Sequence, residues 1–302
     1  MDTKALEYIL EIARCRSVTR AARSLGISQS ALSQILLRVE REIGTPLFVR
    51  QKRALKLTEA GELYVEAAES IIDAKNRFLA ELRDLTAEHR IRVGVTSHWG
   101  MDMMLEILPE FHERFPDAPI ELIQRNYSSL SEEFRQYRID IAVTTFDIRN
   151  PLPQHGELLR DEEMKLCVNK SHPFSIAHAG DSEIPEHLLR SELRDTSFIR
   201  SASGSTFRAT EDALLERIGF LPRTFCEVTD YITFINLVDD NRGFAFISSD
   251  YADLSRNSRF WSLSPRLFRK NALLIRPGLD LGEEERYIIN RIKNYVFNIG
   301  GK

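Results

Sequence analysis

The chain has 302 residues, of which 43% are hydrophobic and 28% charged, and a formal net charge of −4. That length admits roughly two or three domains with real cores. No apolar run opens the chain, and none reaches the roughly 18 residues a membrane helix requires, so neither a signal peptide nor a membrane span is expected. The three cysteines, Cys15, Cys167 and Cys226, form no Cys-x-x-Cys pair. They are expected as small buried hydrophobes in a reducing cytoplasm, with a redox role for Cys167 and Cys226 as the alternative.

In chain order, Leu6, Ile9, Leu10 and Ala13 recur at helical spacing and predict a first helix. Residues 17 to 34, SVTRAARSLGISQSALSQ, then predict a helix-turn-helix. Ala21 and Ala22 are small enough for close helix packing, and Gly26 suits a left-handed turn. Ser28 can cap the second helix, whose Ala31, Leu32 and Ile35 face inward. The outward set, Ser28, Gln29, Ser30, Ser33 and Gln34, suits groove contacts with double-stranded DNA, with Arg38 as a phosphate contact. Gly44-Thr45-Pro46 ends that helix near Ile43. The runs Leu47–Arg50 and Ala54–Thr58 around a basic tip then predict a β-hairpin wing with Arg50, Lys52 and Arg53 along the phosphates. Charge agrees: residues 1–58 hold 11 Lys/Arg against 5 Asp/Glu, and residues 59–302 hold 30 against 40. A basic head on an acidic body is expected when one domain meets nucleic acid.

From Glu59 one long helix is expected to residue 88. Tyr64, Ala68, Ile71, Lys75, Phe78, Leu82 and Leu85 fall at alternating spacings of four and three. That is a heptad seam for dimerisation, interrupted by Lys75. Beyond it, strands at Ile91–Val95, Ile120–Ile123 and Ile139–Thr144 alternate with helices at Met101–Phe115 and Leu130–Tyr137. A second set follows: strands at Met164–Val168, Ser197–Ile199, Phe225–Val228 and Phe244–Ile247, with helices at Phe207–Ile218 and Ile232–Asp239. A strand at Ala272–Ile275 and a helix at Glu283–Phe297 close the chain. The rhythm predicts mostly parallel α/β structure.

Residues 1–58 resemble the winged helix-turn-helix of LysR-type transcriptional regulators, through SVTRAARSLGISQSALSQ, Val39–Arg50 and Leu57–Gly61. Weaker motifs continue the likeness over the whole chain: Ile91–Gly94, Leu108–Phe111, Phe115-Pro116, Asp140–Val143, His172-Pro173 and Gly243–Ala245. The resemblance implies a linker helix over 59–88 and a periplasmic-binding-protein-like effector domain over 89–302. Its subdomain I would span about 91–162 and 266–302, and subdomain II about 163–265. It also implies a homodimer assembling to a homotetramer, with RNA polymerase a possible partner. Two departures stand out: Ser30 where the family commonly has Pro, and Ser248-Ser249 where it commonly has Leu-Pro.

Ligands of α/β sheets gather at the carboxyl ends of strands and at helix N-termini. Thr96, Ser97, His98, Trp99, Thr144, Thr145, Ser201, Ser203, Thr206 and Ser248 are therefore candidate effector contacts, for a small carboxylate or similar anion. Any one of these hydroxyls could instead only cap a helix. An enzyme is disfavoured: there is no phosphate loop, no GxSxG elbow, and no metal-ligand spacing, so no cofactor is expected. Asp161-Glu162-Glu163 is a carboxylate run whose consecutive members do not face one site. A DNA-bridging regulator without an effector is the alternative.

Overall fold

The computed structural model describes residues 2–51, 54–86, 90–146, 152 and 156–299. Contacts divide the chain into one unit of Met1–Glu88 with Arg135–Tyr137 and another of His89–Phe134 with Arg138–Lys302.

The first unit opens with α1 (Thr3–Cys15), α2 (Val18–Ser24) and α3 (Gln29–Ile43). Each starts on a side-chain cap. Asp2 accepts from Lys4 N, Ser17 from Arg20 N, and Ser28 from Ala31 N, which satisfies helix-end donors that otherwise lack partners. Gly26 makes the turn at φ +67°. Ile9, Ile12, Ala21, Ala22, Leu32, Val39 and Leu47 close one core. The hairpin follows as β1 (Phe48–Gln51) and β2 (Ala54–Leu57), antiparallel with Phe48 opposite Leu57. Glu40 on α3 holds its base, its Oε1 accepting from Leu47 N at 2.7 Å and Phe48 N at 3.3 Å. The expected wing contacts Lys52 and Arg53 lie outside the described residues.

The long helix is α4 (Glu59–Thr86). Thr58 caps it, accepting from Gly61 N at 2.9 Å while donating to Pro46 O at 2.8 Å. A Cβ on Gly61 would lie 2.1 Å from Leu47 O, so only glycine lets the hairpin base touch this helix. The expected seam is divided. Tyr64 joins the helix-turn-helix core and Ala68 is fully buried, because α1 packs along the first half of α4. Lys75, the charged interruption, pairs with Glu7 on α1 at 3.2 Å. Ile71, Phe78, Leu82 and Leu85 remain exposed, joined by Leu63.

The second unit comprises β3 (Ile91–Val95), α5 (His98–Arg114), β4 (Ile120–Gln124), α6 (Tyr127–Arg135), β5 (Ile141–Phe146) and β6 (Gly156–Asn169), then α7 (Pro173–Ala177), β7 (Glu183–Pro185) and α8 (His187–Glu192). It continues with β8 (Phe198–Ser201), α9 (Thr206–Arg217), β9 (Thr224–Val228), α10 (Tyr231–Asp239), β10 (Ala245–Ser248), a 3-10 turn (Ser249–Leu254), β11 (Ser258–Ser264), β12 (Leu267–Ile275) and α11 (Glu283–Ile299). The main sheet runs β4-β3-β5-β12-β6-β11-β7, with β10 also on β6. Its parallel strands β3, β4 and β5 are joined by α5 and α6, and antiparallel β12 returns beside β5.

Two strands are longer than their sequence patterns suggested. Met164–Val168 is the second half of β6, and Ala272–Ile275 the second half of β12. Their first halves, Gly156–Glu163 and Leu267–Asn271, are rich in charge, which hides a strand from a hydrophobicity pattern. β6 passes through both lobes: Gly156–Met164 pairs with β12, and Met164–Asn169 with β10 and β11. One core packs α5 and α11 against β3, β5 and β12. A second gathers Met164, Leu166, Phe198, Phe244 and Trp261, and a third lies under α10.

Gly61→Ala should lower the melting temperature of the chain through a cost of about 1–3 kcal/mol, as for overpacked sites. Calorimetry checks this, and an unchanged transition would show that the close approach to Leu47 is not required.

Candidate functional site

On the first unit, α3 presents Gln29, Ser30, Gln34 and Arg38 fully to solvent, and Ser33 half-buried. Four of the expected contacts hydrogen-bond one another or the helix backbone. Ser28 is the cap and lies 3.1 Å from Ser30 Oγ, while Gln29 Nε2 donates to Ser33 Oγ at 2.9 Å. Gln34 and Arg38, one turn apart, therefore stand out as exposed long polar side chains on this face, with exposed Arg50 on β1.

On the second unit, a cavity of about 410 Å³ lies where the ends of β3, β4, β5 and β8 meet the N-termini of α5 and α9. Of the expected contacts, Thr96, Ser97, His98, Thr145, Ser201, Ser203 and Thr206 line it. Three do not. Trp99 is buried in the core with the Arg160 guanidinium 4.2 Å over its ring. Thr144 neighbours Thr145 on a strand, so its side chain points to the opposite face. Ser248 caps the 3-10 turn by accepting from Asp250 N at 3.3 Å.

A chain of side chains builds the polar wall. Thr145 Oγ1 lies 2.7 Å from Thr206 Oγ1 and 3.4 Å from Thr96 Oγ1, and Thr145 N donates to Thr96 Oγ1 at 2.9 Å. Behind Thr206 stands Arg269, only 2% exposed, donating through Nη1 to Thr206 Oγ1 at 3.0 Å. Its Nη2 donates to both oxygens of buried Glu162, at 2.8 and 2.7 Å. Although burial opposes its ionisation, Arg269 holds the Glu162 carboxyl below the usual range. Asn271 adds a third hydrogen bond to that carboxylate at 3.2 Å. The guanidinium also lies 3.5 Å over the Phe207 ring.

The hydroxyls differ in what they can offer. Ser97 accepts from Gly100 N at 3.0 Å and Ser205 from Arg208 N at 3.1 Å, so both cap the helices that point at the cavity. Ser201 donates to Glu211 Oε1 at 2.7 Å, and its backbone N–H donates to Oε2 at 3.1 Å. Burial keeps the His98 imidazole below its usual pKa, hence neutral at pH 7. His98 meets Tyr231 edge-on at 4.2 Å, and Tyr231 stacks on Tyr251 at 4.0 Å, giving the cavity an aromatic side.

Sequence reasoning missed Gln124, Arg125, Asn126 and Tyr127, although they follow a strand end as the chosen residues do. It also missed Arg269 and Glu162. Of the run Asp161-Glu162-Glu163, only Glu162 turns inward to Arg269, a pairing set by the β6–β12 register. Among the described residues, no group of three or more His, Cys, Asp or Glu is arranged to hold a metal ion, and no helix is long and apolar enough to cross a membrane.

Arg269→Met should destabilise the second unit by about 3–5 kcal/mol, because it strands the buried Glu162 carboxylate. The double variant Glu162→Gln with Arg269→Met should recover most of that loss. Urea denaturation of both reads the coupling, and additive losses would deny the pair its role.

Residues 3–62 match the family described as bacterial regulatory helix-turn-helix protein, lysR family, and residues 86–278 match the LysR substrate binding domain. The regulator BudR of Raoultella terrigena is 31% identical over 178 residues, which span 58% of this chain and 61% of that protein. Full-length BenM superposes with a TM-score of 0.55 at 20% identity, covering 99% of this chain and 98% of that one. The effector binding domain of QuiR, solved in complex with shikimate, gives 0.54 at 18% identity over 70% of this chain and 99% of that one. These last two likenesses are of fold. The matched head and body, in this order over the described folds, place the chain in the LysR family of transcriptional regulators, which bind DNA through a helix-turn-helix and answer to an effector held by the second domain.

Proposed function

We propose that the effector is a compact organic acid held in the 410 Å³ cavity of the second unit. The observation that carries this is the convergence of two helix N-termini, α5 and α9, with the Thr96, Thr145 and Thr206 hydroxyls at one wall. Helix N-termini and hydroxyl donors favour negative charge. Arg269 sits behind that wall, but its charge is matched by Glu162, so the acid is held by hydrogen bonds and helix ends rather than by a new ion pair. The cavity falls in the size range of small-molecule sites, about 300–1,000 Å³. The acid bound by QuiR, a LysR-type fold neighbour, is consistent with this class.

In this reading residues 1–58 are the DNA-reading head, 59–88 the linker and 89–302 the effector domain. Gln34, Gln29 and Ser30 reach base edges, while Arg38, Arg50, Lys52 and Arg53 meet phosphates or the minor groove. The exposed row Leu63, Ile71, Phe78, Leu82 and Leu85 forms the homodimer contact, and dimers pair to a homotetramer acting on promoter DNA in the cytoplasm, with RNA polymerase a further partner.

Thermal-shift screening of the full chain against organic acids tests the effector reading: stabilisation by some acids, with a promoter footprint that changes on adding them, is expected. No shift with any acid would favour a DNA-bridging regulator without an effector. Thr206→Val should weaken acid binding roughly tenfold, about one hydrogen bond; unchanged affinity by calorimetric titration would remove Thr206 from the site. Gln34→Ala should weaken operator binding by about 1–3 kcal/mol and leave scrambled DNA nearly untouched. Equal loss on both DNAs would reassign Gln34 to backbone contact.

A further inference from the structure

Glu211 on α9 is fully buried, its carboxylate bonded to Ser201, which lines the cavity. A buried carboxylate is costly unless its oxygens are hydrogen-bonded. Here both bonds come from one residue, Ser201, at the end of β8. The charged groups around it engage one another: Arg200 on β8 pairs with Asp212 on α9, and Arg208 on α9 bonds Asp212 and Glu227 on β9. Ser201 is thereby fixed on three sides. Its N–H and O–H go to Glu211, and its carbonyl accepts from Arg208 Nη1 at 3.1 Å. Its hydroxyl proton is committed away from the cavity it lines, so it presents oxygen lone pairs to a ligand.

We infer that Ser201, positioned by Glu211, is an acceptor post that selects effectors carrying a hydroxyl or ammonium donor in addition to their acidic group. This rests on the organic-acid reading of the cavity. The Thr96, Thr145 and Thr206 hydroxyls and the helix ends supply donors for the acid, Ser201 supplies an acceptor for a second polar group, and Tyr231 and Phe207 also line the cavity. The effector is thus a hydroxylated or aminated small acid, not a simple one.

The polarity of the post depends on Glu211 being ionised. Burial pushes its carboxyl up to about 7, against the lowering effect of the Ser201 bonds, Arg200 and Arg208. Above that pH the carboxylate accepts the hydrogen bond of the Ser201 O–H. Below it, the carboxyl O–H can donate to Ser201 Oγ and release the serine proton toward the cavity. Selectivity for a donor-bearing ligand therefore rises with pH. Glu211→Gln mimics the protonated state: its one carbonyl oxygen cannot accept from both the Ser201 N–H and O–H, and its amide donates instead.

The test is calorimetric titration of the full chain with matched acids: benzoate against its meta- and para-hydroxy derivatives, and cyclohexene carboxylate against shikimate. At about pH 8, one hydroxylated member is expected to bind roughly tenfold or more tightly than its parent, as one added hydrogen bond allows. That ratio should shrink at about pH 6. It should fall near one in Glu211→Gln and in Ser201→Ala. Ser201→Ala removes only a hydroxyl and keeps the test readable if Glu211→Gln does not fold. Equal binding of parent and hydroxylated acids by the wild type, or a ratio that persists in either variant, overturns the acceptor post alone. Failure of every acid to bind overturns the organic-acid reading, and this inference with it.

Discussion

The polar wall of the cavity is built on the buried ion pair of Arg269 and Glu162. Arg269 and Glu162 stand directly opposite each other on β12 and β6, nearly without solvent. Removing two charges from water is expensive, and the loss is offset only by good geometry and further hydrogen bonds. Both are present: the carboxylate receives two bonds from one guanidinium nitrogen and a third from Asn271. The remaining arm of Arg269 reaches Thr206 at the start of α9, which in turn meets Thr145 on β5. Four elements of two lobes are thus joined through a single guanidinium, and the polar wall of the cavity is the far end of that chain.

This arrangement leaves hydroxyls, rather than the Arg269 charge, at the wall formed by Thr96, Thr145 and Thr206. A free arginine there would bind any anion strongly. With its charge matched by Glu162, it instead hydrogen-bonds a threonine chain at the cavity wall. Ser97 and Ser205 spend theirs on helix capping. Thr96, Thr145 and Thr206 face the ligand space as a linked set, and Ser201 is oriented by Glu211. Capping and cavity lining, which compete as explanations for any serine taken alone, are divided here among neighbours.

In the first unit the equivalent constraint is close backbone approach. The hairpin base is held by Glu40 and by Thr58, and it can touch α4 only because residue 61 lacks a side chain. Gly61 looks in the sequence like a tolerated residue in a first turn; its contact with Leu47 makes it a requirement. The same packing divides the heptad row, since α1 covers Tyr64 and Ala68 and leaves the later positions open.

Much of this protein was legible in its residues. Local interactions within a few positions of one another determine helix caps, turns and amphipathic faces, so Ser28, Gly26 and Gly44 marked the helix-turn-helix. Strand ends followed by serines and threonines likewise pointed to most of the cavity. What the residues could not reveal was register. Whether Thr144 or Thr145 faces the cavity, which of three consecutive acids turns inward, and that Arg269 lies across from Glu162 rather than in solvent all depend on how β5, β6 and β12 align. A one-residue slip would exchange every face, and alignment is decided by contacts between segments about a hundred residues apart, as the Glu162–Arg269 separation of 107 shows. Composition and short-range pattern therefore established what kind of protein this is, while only the tertiary structure decided which side chains meet in its cavity.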